Sequence, residues 1–200
     1  MNPLNSIKGT LIAGFVLAIV AALVVKMGLS NINWMTVLRW LHIVAGITWI
    51  GLLYYFNFVS TPAMAAAGAD KGGPGGAGIS KYVTPLALLW FRWAALTTWV
   101  LGFGYLASNG QLGAFALGFM GNPAAANYQL TIGIGAWLGT IMLFNVWVLI
   151  WPNQKKILGI VTASDEQKAK ARRVAFLASR TNTMLSLPML LCMAAAGHGL

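Results

Sequence analysis

Long apolar runs alternate with short polar breaks along the chain. Read at the roughly 20 residues that a helix needs to cross a bilayer, they predict five spans at 9–29, 34–59, 83–107, 128–151 and 178–197. Between the second and third lies AAAGADKGGPGGAGISK, and its Gly and Ala content predicts a flexible connector over 64–80. Residues 108–127 carry no charge and include Asn122-Pro123, which suits a short interfacial or re-entrant segment rather than a sixth span. Ser164-Asp165-Glu166-Gln167 reads as a helix start, a side-chain oxygen capping free amides with Gln three positions on. A basic cytoplasmic helix over 165–180 is expected to run from there into the fifth span. The apolar run from Thr10 to Val25 has the outline of a signal peptide but no convincing cleavage site, since Lys26 and Met27 follow directly. It is read as a retained first span.

Composition points the same way. With 58% hydrophobic residues, 8% charged and a mean hydropathy of +0.74, the 200-residue chain is expected to be all-α, a single polytopic transmembrane helix bundle. The net charge of +10 sits between apolar runs, where it sets orientation against anionic headgroups, so nucleic acid is discounted as a partner. A cytoplasmic N-terminus collects Lys8, Lys71, Lys81, Lys155, Lys156, Lys168, Lys170, Arg172, Arg173 and Arg180 on one side, leaving Lys26 and Arg39 near the other. The C-terminus is then external. Cys192 is the lone cysteine, which excludes an intrachain disulfide and a CxxCH covalent haem site.

His42, inside RWLHIVAGITWIGLLYYFNFV, is the sharpest chemical signal. An imidazole in hydrocarbon needs a backbone carbonyl, a hydroxyl, a metal or a cofactor, because leaving it unsatisfied costs roughly 2–7 kcal/mol. Counting residues along the spans places His42 and the second histidine, His198, toward the same external face, as two axial ligands of one haem b would require. His198 could equally be a polar terminus. Arg39 shares a helix face with His42 and could steer a haem propionate, or simply snorkel. Arg92, 11 residues past Lys81, is expected near mid-membrane and needs an anion, yet the only acids are Asp70, Asp165 and Glu166 in connectors. A propionate, an anionic substrate, a lipid phosphate or a partner's carboxylate could answer it, as could snorkelling with backbone-carbonyl bonds. So few acids also disfavour a proton-coupled carrier. At the inner ends of the spans Asn57, Asn145, Asn153, Gln154, Arg180 and Asn182 gather near Trp147 and Trp151. They could read a flat heterocycle, or act as interhelical glue beneath an aromatic belt.

RWLHIVAGITWIGLLYYFNFV, WFRWAALTTW, NVWVLIWPNQKKI and ASRTNTMLSLPMLLCMAAAGH, in that order, resemble the N-terminal membrane domain of bacterial membrane-bound urate hydroxylases, the urate oxidase N-terminal domain. The resemblance covers the second to fifth spans and their flanks. It implies a module of the bacterial inner membrane that oxidises urate and passes electrons to a fused C-terminal cytochrome c and the respiratory chain. His42, Arg92, Asn145, the WPNQKK stretch, Arg180, Asn182 and His198 fall in the matching blocks, with no roles implied by the match itself. This chain departs from the family in stopping at Leu200, in having no CxxCH and in having fewer spans.

Two functions follow as expectations. The first is a haem-b-binding redox module, ligated by His42 and His198 with Arg39 and Arg92 assisting, in which urate reaches the Asn57, Asn145 and Asn182 cluster with Arg180 nearby. Its electrons would pass to a separate cytochrome c or larger membrane complex. The second is a non-catalytic accessory subunit of a respiratory or photosynthetic assembly. GxxxG-like spacing at Gly135 and Gly139 leaves an oligomer open without predicting one.

Overall fold

The computed structural model describes residues 2–26, 33–120 and 123–197. Every regular element among them is helical. By contact the chain divides into two units, Met1–Val37 and Leu38–Leu200. The first unit carries helix α1, Ile7–Lys26. Its entry is built by Asn2, which caps the 3-10 turn Pro3–Asn5, and by Ser6, whose Oγ accepts the Gly9 amide at 3.0 Å. The described stretch Ile7–Val25 is apolar all round and buries none of its side chains.

The second unit is a helical bundle. Helix α2, Trp34–Tyr54, enters it from the unit boundary and passes through a π-helical turn, Tyr55–Ser60, into α3, Thr61–Ala69. A second wide turn, Ile79–Val83, leads into α4, Thr84–Ser108. Helix α5, Ala126–Phe144, continues through a third, Asn145–Ile150, into α6, Trp151–Ile157. Helix α7 runs unbroken from Asp165 to Ala195 behind the full Ser164/Gln167 capping box.

The three wide turns have one cause. Each directly precedes a proline at the start of the next helical segment, Pro62, Pro85 or Pro152. Proline removes an N–H and its ring pushes on the carbonyl one turn back, so the helix widens there. Side chains then cover carbonyls near the widened turns. Thr84 donates to Ile79 O at 3.2 Å, Asn57 to Leu53 O at 2.8 Å and Asn153 to Leu149 O at 2.7 Å.

Among the described residues four helices are long and apolar enough to cross a membrane: Ile7–Val25, Trp34–Ala69, Ile79–Ser108 and Ala126–Ile157. They carry the first four expected spans. The fifth, expected at 178–197, falls on the second half of α7, whose first half is basic. Helix persists to Ala69 and resumes before Ile79, so the expected connector 64–80 is partly helical. The uncharged stretch after α4 does not cross. It forms the 3-10 turn Leu112–Ala116 and folds back on α4 and α5, pinned by Trp137 Nε1 donating to Phe115 O at 3.1 Å.

The core joins Trp49, Ile50 and Leu53 of α2, Leu88, Phe91 and Ala95 of α4, Met142 and Val146 of the α5 region, and Ala178 and Met189 of α7. Small residues let α5 and α7 approach: a Cβ on Gly135 would stand 3.1 Å from Cys192 Cβ. The same pair is tied by polar bonds at the core. Asn145 Nδ2 donates to Asn182 Oδ1 at 2.8 Å, and Asn182 Nδ2 to Met142 O at 3.0 Å. With Asn182 fully buried, Asn182→Ala removes the acceptor of the Asn145 side-chain amide and one of the donors to Met142 O. It is expected to destabilise the bundle by about 1–2 kcal/mol in detergent unfolding, and a double-mutant cycle with Asn145→Ala should show positive coupling.

Candidate functional site

The main cavity of the second unit, about 530 Å³, lies between α2, α4, α5 and α7. On α2 its lining runs from Arg39 through His42 and Trp49 to Tyr54; on α4 it runs from Thr98 to Leu106. Phe115 of the folded-back turn, Ala136 and Gly139 of α5, and Met189 and Met193 of α7 complete the wall. Aromatic and aliphatic groups dominate, with a few convergent polar ones, the usual make-up of a small-molecule site.

His42 is set by two features of α4. Its Nδ1 lies 2.8 Å from Thr98 O. A carbonyl only accepts, so Nδ1 carries the proton and the neutral ring presents Nε2 as a lone pair. Nε2 has no hydrogen-bond partner among the described residues. The backbone-carbonyl alternative for this imidazole is therefore met at one nitrogen, and the other is left in the form a metal ligand takes. The second feature is Gly102, where a Cβ would stand 2.8 Å from His42 Cε1 and 2.9 Å from Nδ1. Only a bare Cα lets the ring lie against α4 at this point.

Other polar groups complete the cavity. Arg39, exposed, lines it with His42. Tyr54 OH is 2.9 Å from Ser186 Oγ, linking α2 to α7. Trp49 is 2% exposed and its indole N–H has no acceptor among the described residues, an orphaned donor in the wall. Gly139 is buried, yet a Cβ there would meet nothing within 4 Å.

The structure brings only part of the expected set together. His42 and Arg39 share the cavity; His198 lies outside the described residues. Arg92 is elsewhere, its guanidinium 3.8 Å from the Trp151 ring centroid. Arg92 stands near the middle of the 30-residue helix Ile79–Ser108, which is about 45 Å long. Stacking on Trp151 puts Arg92 level with the start of the basic WPNQKK stretch. The amide cluster is closed: Asn145 and Asn182 are bonded to each other, and Asn57 donates to Leu53 O and Ser179 Oγ, both at 2.8 Å. None of them lines the cavity, and Arg180 is exposed with its guanidinium 5.3 Å from the Phe176 centroid. The three asparagines tie helices together in the structure.

Thr98, Gly102, Trp49 and Gly139 were not anticipated. Only LTTW and GFG hinted at them, since a hydroxyl and paired glycines within an apolar helix mark close contacts without saying with what. Among the described residues no three His, Cys, Asp or Glu side chains converge, so a bare ion has no multidentate site there. A haem brings its own nitrogens and needs only axial donors, and His42 with Arg39 beside it fits that need.

Fold and cavity thus define an all-α helical bundle with four helices able to cross a membrane. Residues 112–200 match the family model described as urate oxidase N-terminal. The match takes in the folded-back turn, α5, α6 and α7, whereas His42, Thr98 and Arg92 precede it. No curated protein and no solved structure matches the chain.

The close fit of His42 on Gly102 is testable through coupling. Gly102→Ala is expected to destabilise the wild type by about 1–3 kcal/mol through overpacking, and to cost far less once His42→Ala has removed the ring. Detergent-unfolding midpoints of the four proteins would check this; equal costs in both backgrounds would contradict the contact.

Proposed function

We propose that the chain is a haem-b-binding redox module of a bacterial inner membrane, related to the urate hydroxylases. The observation that carries this reading is His42, held by Thr98 O in the tautomer that offers Nε2 to a site in the wall of an apolar cavity. His42 would supply an axial ligand and Arg39 would meet a propionate at the cavity mouth; His198 remains the proposed second ligand. The group, when bound, supplies one-electron transfer. The chain's own residues hold the imidazole in one orientation, exclude water with aromatic walls and place a cation at the rim.

Urate as electron source and a separate cytochrome c or membrane complex as acceptor are proposed on the family match of residues 112–200. The closed asparagine layer is left out of the substrate path. A cytoplasmic N-terminus is part of the proposal, resting on the distribution of Lys and Arg.

Protein purified from haem-replete membranes is expected to show a dithionite-reducible b-type absorption spectrum that His42→Ala abolishes. Gly139→Leu, which fills the cavity without displacing a neighbour of its Cβ, should reduce haem content while the protein stays folded. Loss of the spectrum in wild type, or its survival in His42→Ala, would overturn haem ligation and favour an accessory subunit. Reduction of bound haem on adding urate, with no dithionite present, would place urate upstream; its failure with haem bound would leave an electron carrier.

A further inference from the structure

A second site lies on α4 N-terminal to the stretch that lines the cavity. Arg92 and Lys155 converge on one indole, with Arg92 Cζ 3.8 Å and Lys155 Nζ 5.9 Å from the Trp151 ring centroid. Neither cation has a carboxylate. The ion pair among the described residues is Lys168 with Asp165, and it involves neither. Two positive charges held on one ring, with no counter-charge from their own chain, require an anion from outside.

An apolar groove leads away from this point along the seam of α4 and α5. It is lined by Leu96, Trp99, Thr140, Leu143, Phe144 and Trp147, with a volume of about 320 Å³. The sequence numbers give its direction. Leu96 stands one turn from Arg92 on α4, and Trp147 one turn from Trp151 toward α5, so the groove begins where the cationic pair ends. The Trp93–Trp147 ring pair, 5.4 Å between centroids and edge to face, joins the two regions. Its floor is fixed by Trp99 Nε1 donating to Thr140 Oγ1 at 2.8 Å. Trp147 N–H is buried without an acceptor among the described residues, a donor available to an ester carbonyl. The flanking faces are apolar and open, with Trp93, Phe144 and Val148 about half exposed.

A cationic pair one turn from an apolar groove has the dimensions and polarity of one molecule with a charged phosphate and a hydrocarbon tail. We propose that this seam binds an anionic glycerophospholipid, its phosphate between Arg92 and Lys155 and an acyl chain in the groove against Leu96 and Leu143. The lipid supplies the counter-charge that the chain lacks and covers the seam of α4 and α5 beside Trp99, which also lines the cavity. A zwitterionic lipid brings its own cation to the same point and gains less from the pair.

The test uses the whole protein in detergent. Phosphatidylglycerol is expected to raise the melting temperature by several degrees, with phosphatidylcholine and inorganic phosphate giving little. In the Arg92→Gln/Lys155→Gln protein most of the phosphatidylglycerol shift should disappear. An equal shift from phosphatidylcholine would overturn the headgroup claim, an equal shift from phosphate alone would overturn the lipid, and retention of the shift in the double variant would overturn the residues assigned. Should that variant fail to fold, wild-type protein with a diazirine-tailed phosphatidylglycerol decides. Cross-linked peptides from 93–99 and 140–147 are expected, and labelling confined to other surfaces would refute the site.

Discussion

Polar groups carried into an apolar bundle must be answered from within it, and this constraint organises the second unit. Each proline that opens a helix removes a backbone donor, the helix widens, and a threonine or asparagine turns back onto a carbonyl close by. The same rule ties helix to helix, through Asn145 and Asn182 between α5 and α7 and through Asn57 and Ser179 between α2 and α7. Without those bonds, bringing α5 and α7 together at Gly135 would leave buried amides unpaired.

The exceptions to that rule are where the chemistry concentrates. His42 is satisfied at one nitrogen and open at the other, on the wall of the main cavity. Trp49 N–H is unanswered in the same wall, and Trp147 N–H in the groove along the seam of α4 and α5. Arg92 and Lys155 are charges without a carboxylate. Groups left open beside a cavity and a groove make places for molecules that are not part of the chain.

The two sites differ in what shapes them. The cavity depends on absent side chains: Gly102 lets the imidazole lie flat on α4, and Gly139 leaves space where any larger residue would intrude. The groove depends on large ones, its tryptophans holding α4 and α5 apart at the surface. The family match covers α5 to α7, whereas the imidazole and its anchor come from α2 and α4.

Helicity, the positions of the long apolar helices and the Ser164 capping box could all be read from the sequence, because each rests on local periodicity or cap chemistry. The fifth expected span falls on α7, a helix whose first half is basic. Which polar residues would be spent on one another, and which left open, depends on facing between helices far apart in the chain. Thr98 and His42 are 56 residues apart, and Asn145 and Asn182 are 37 apart. Composition and spacing fix which residue types enter the apolar layer; only packing decides which of them meet, since a turn of one helix about its axis exchanges one set of partners for another.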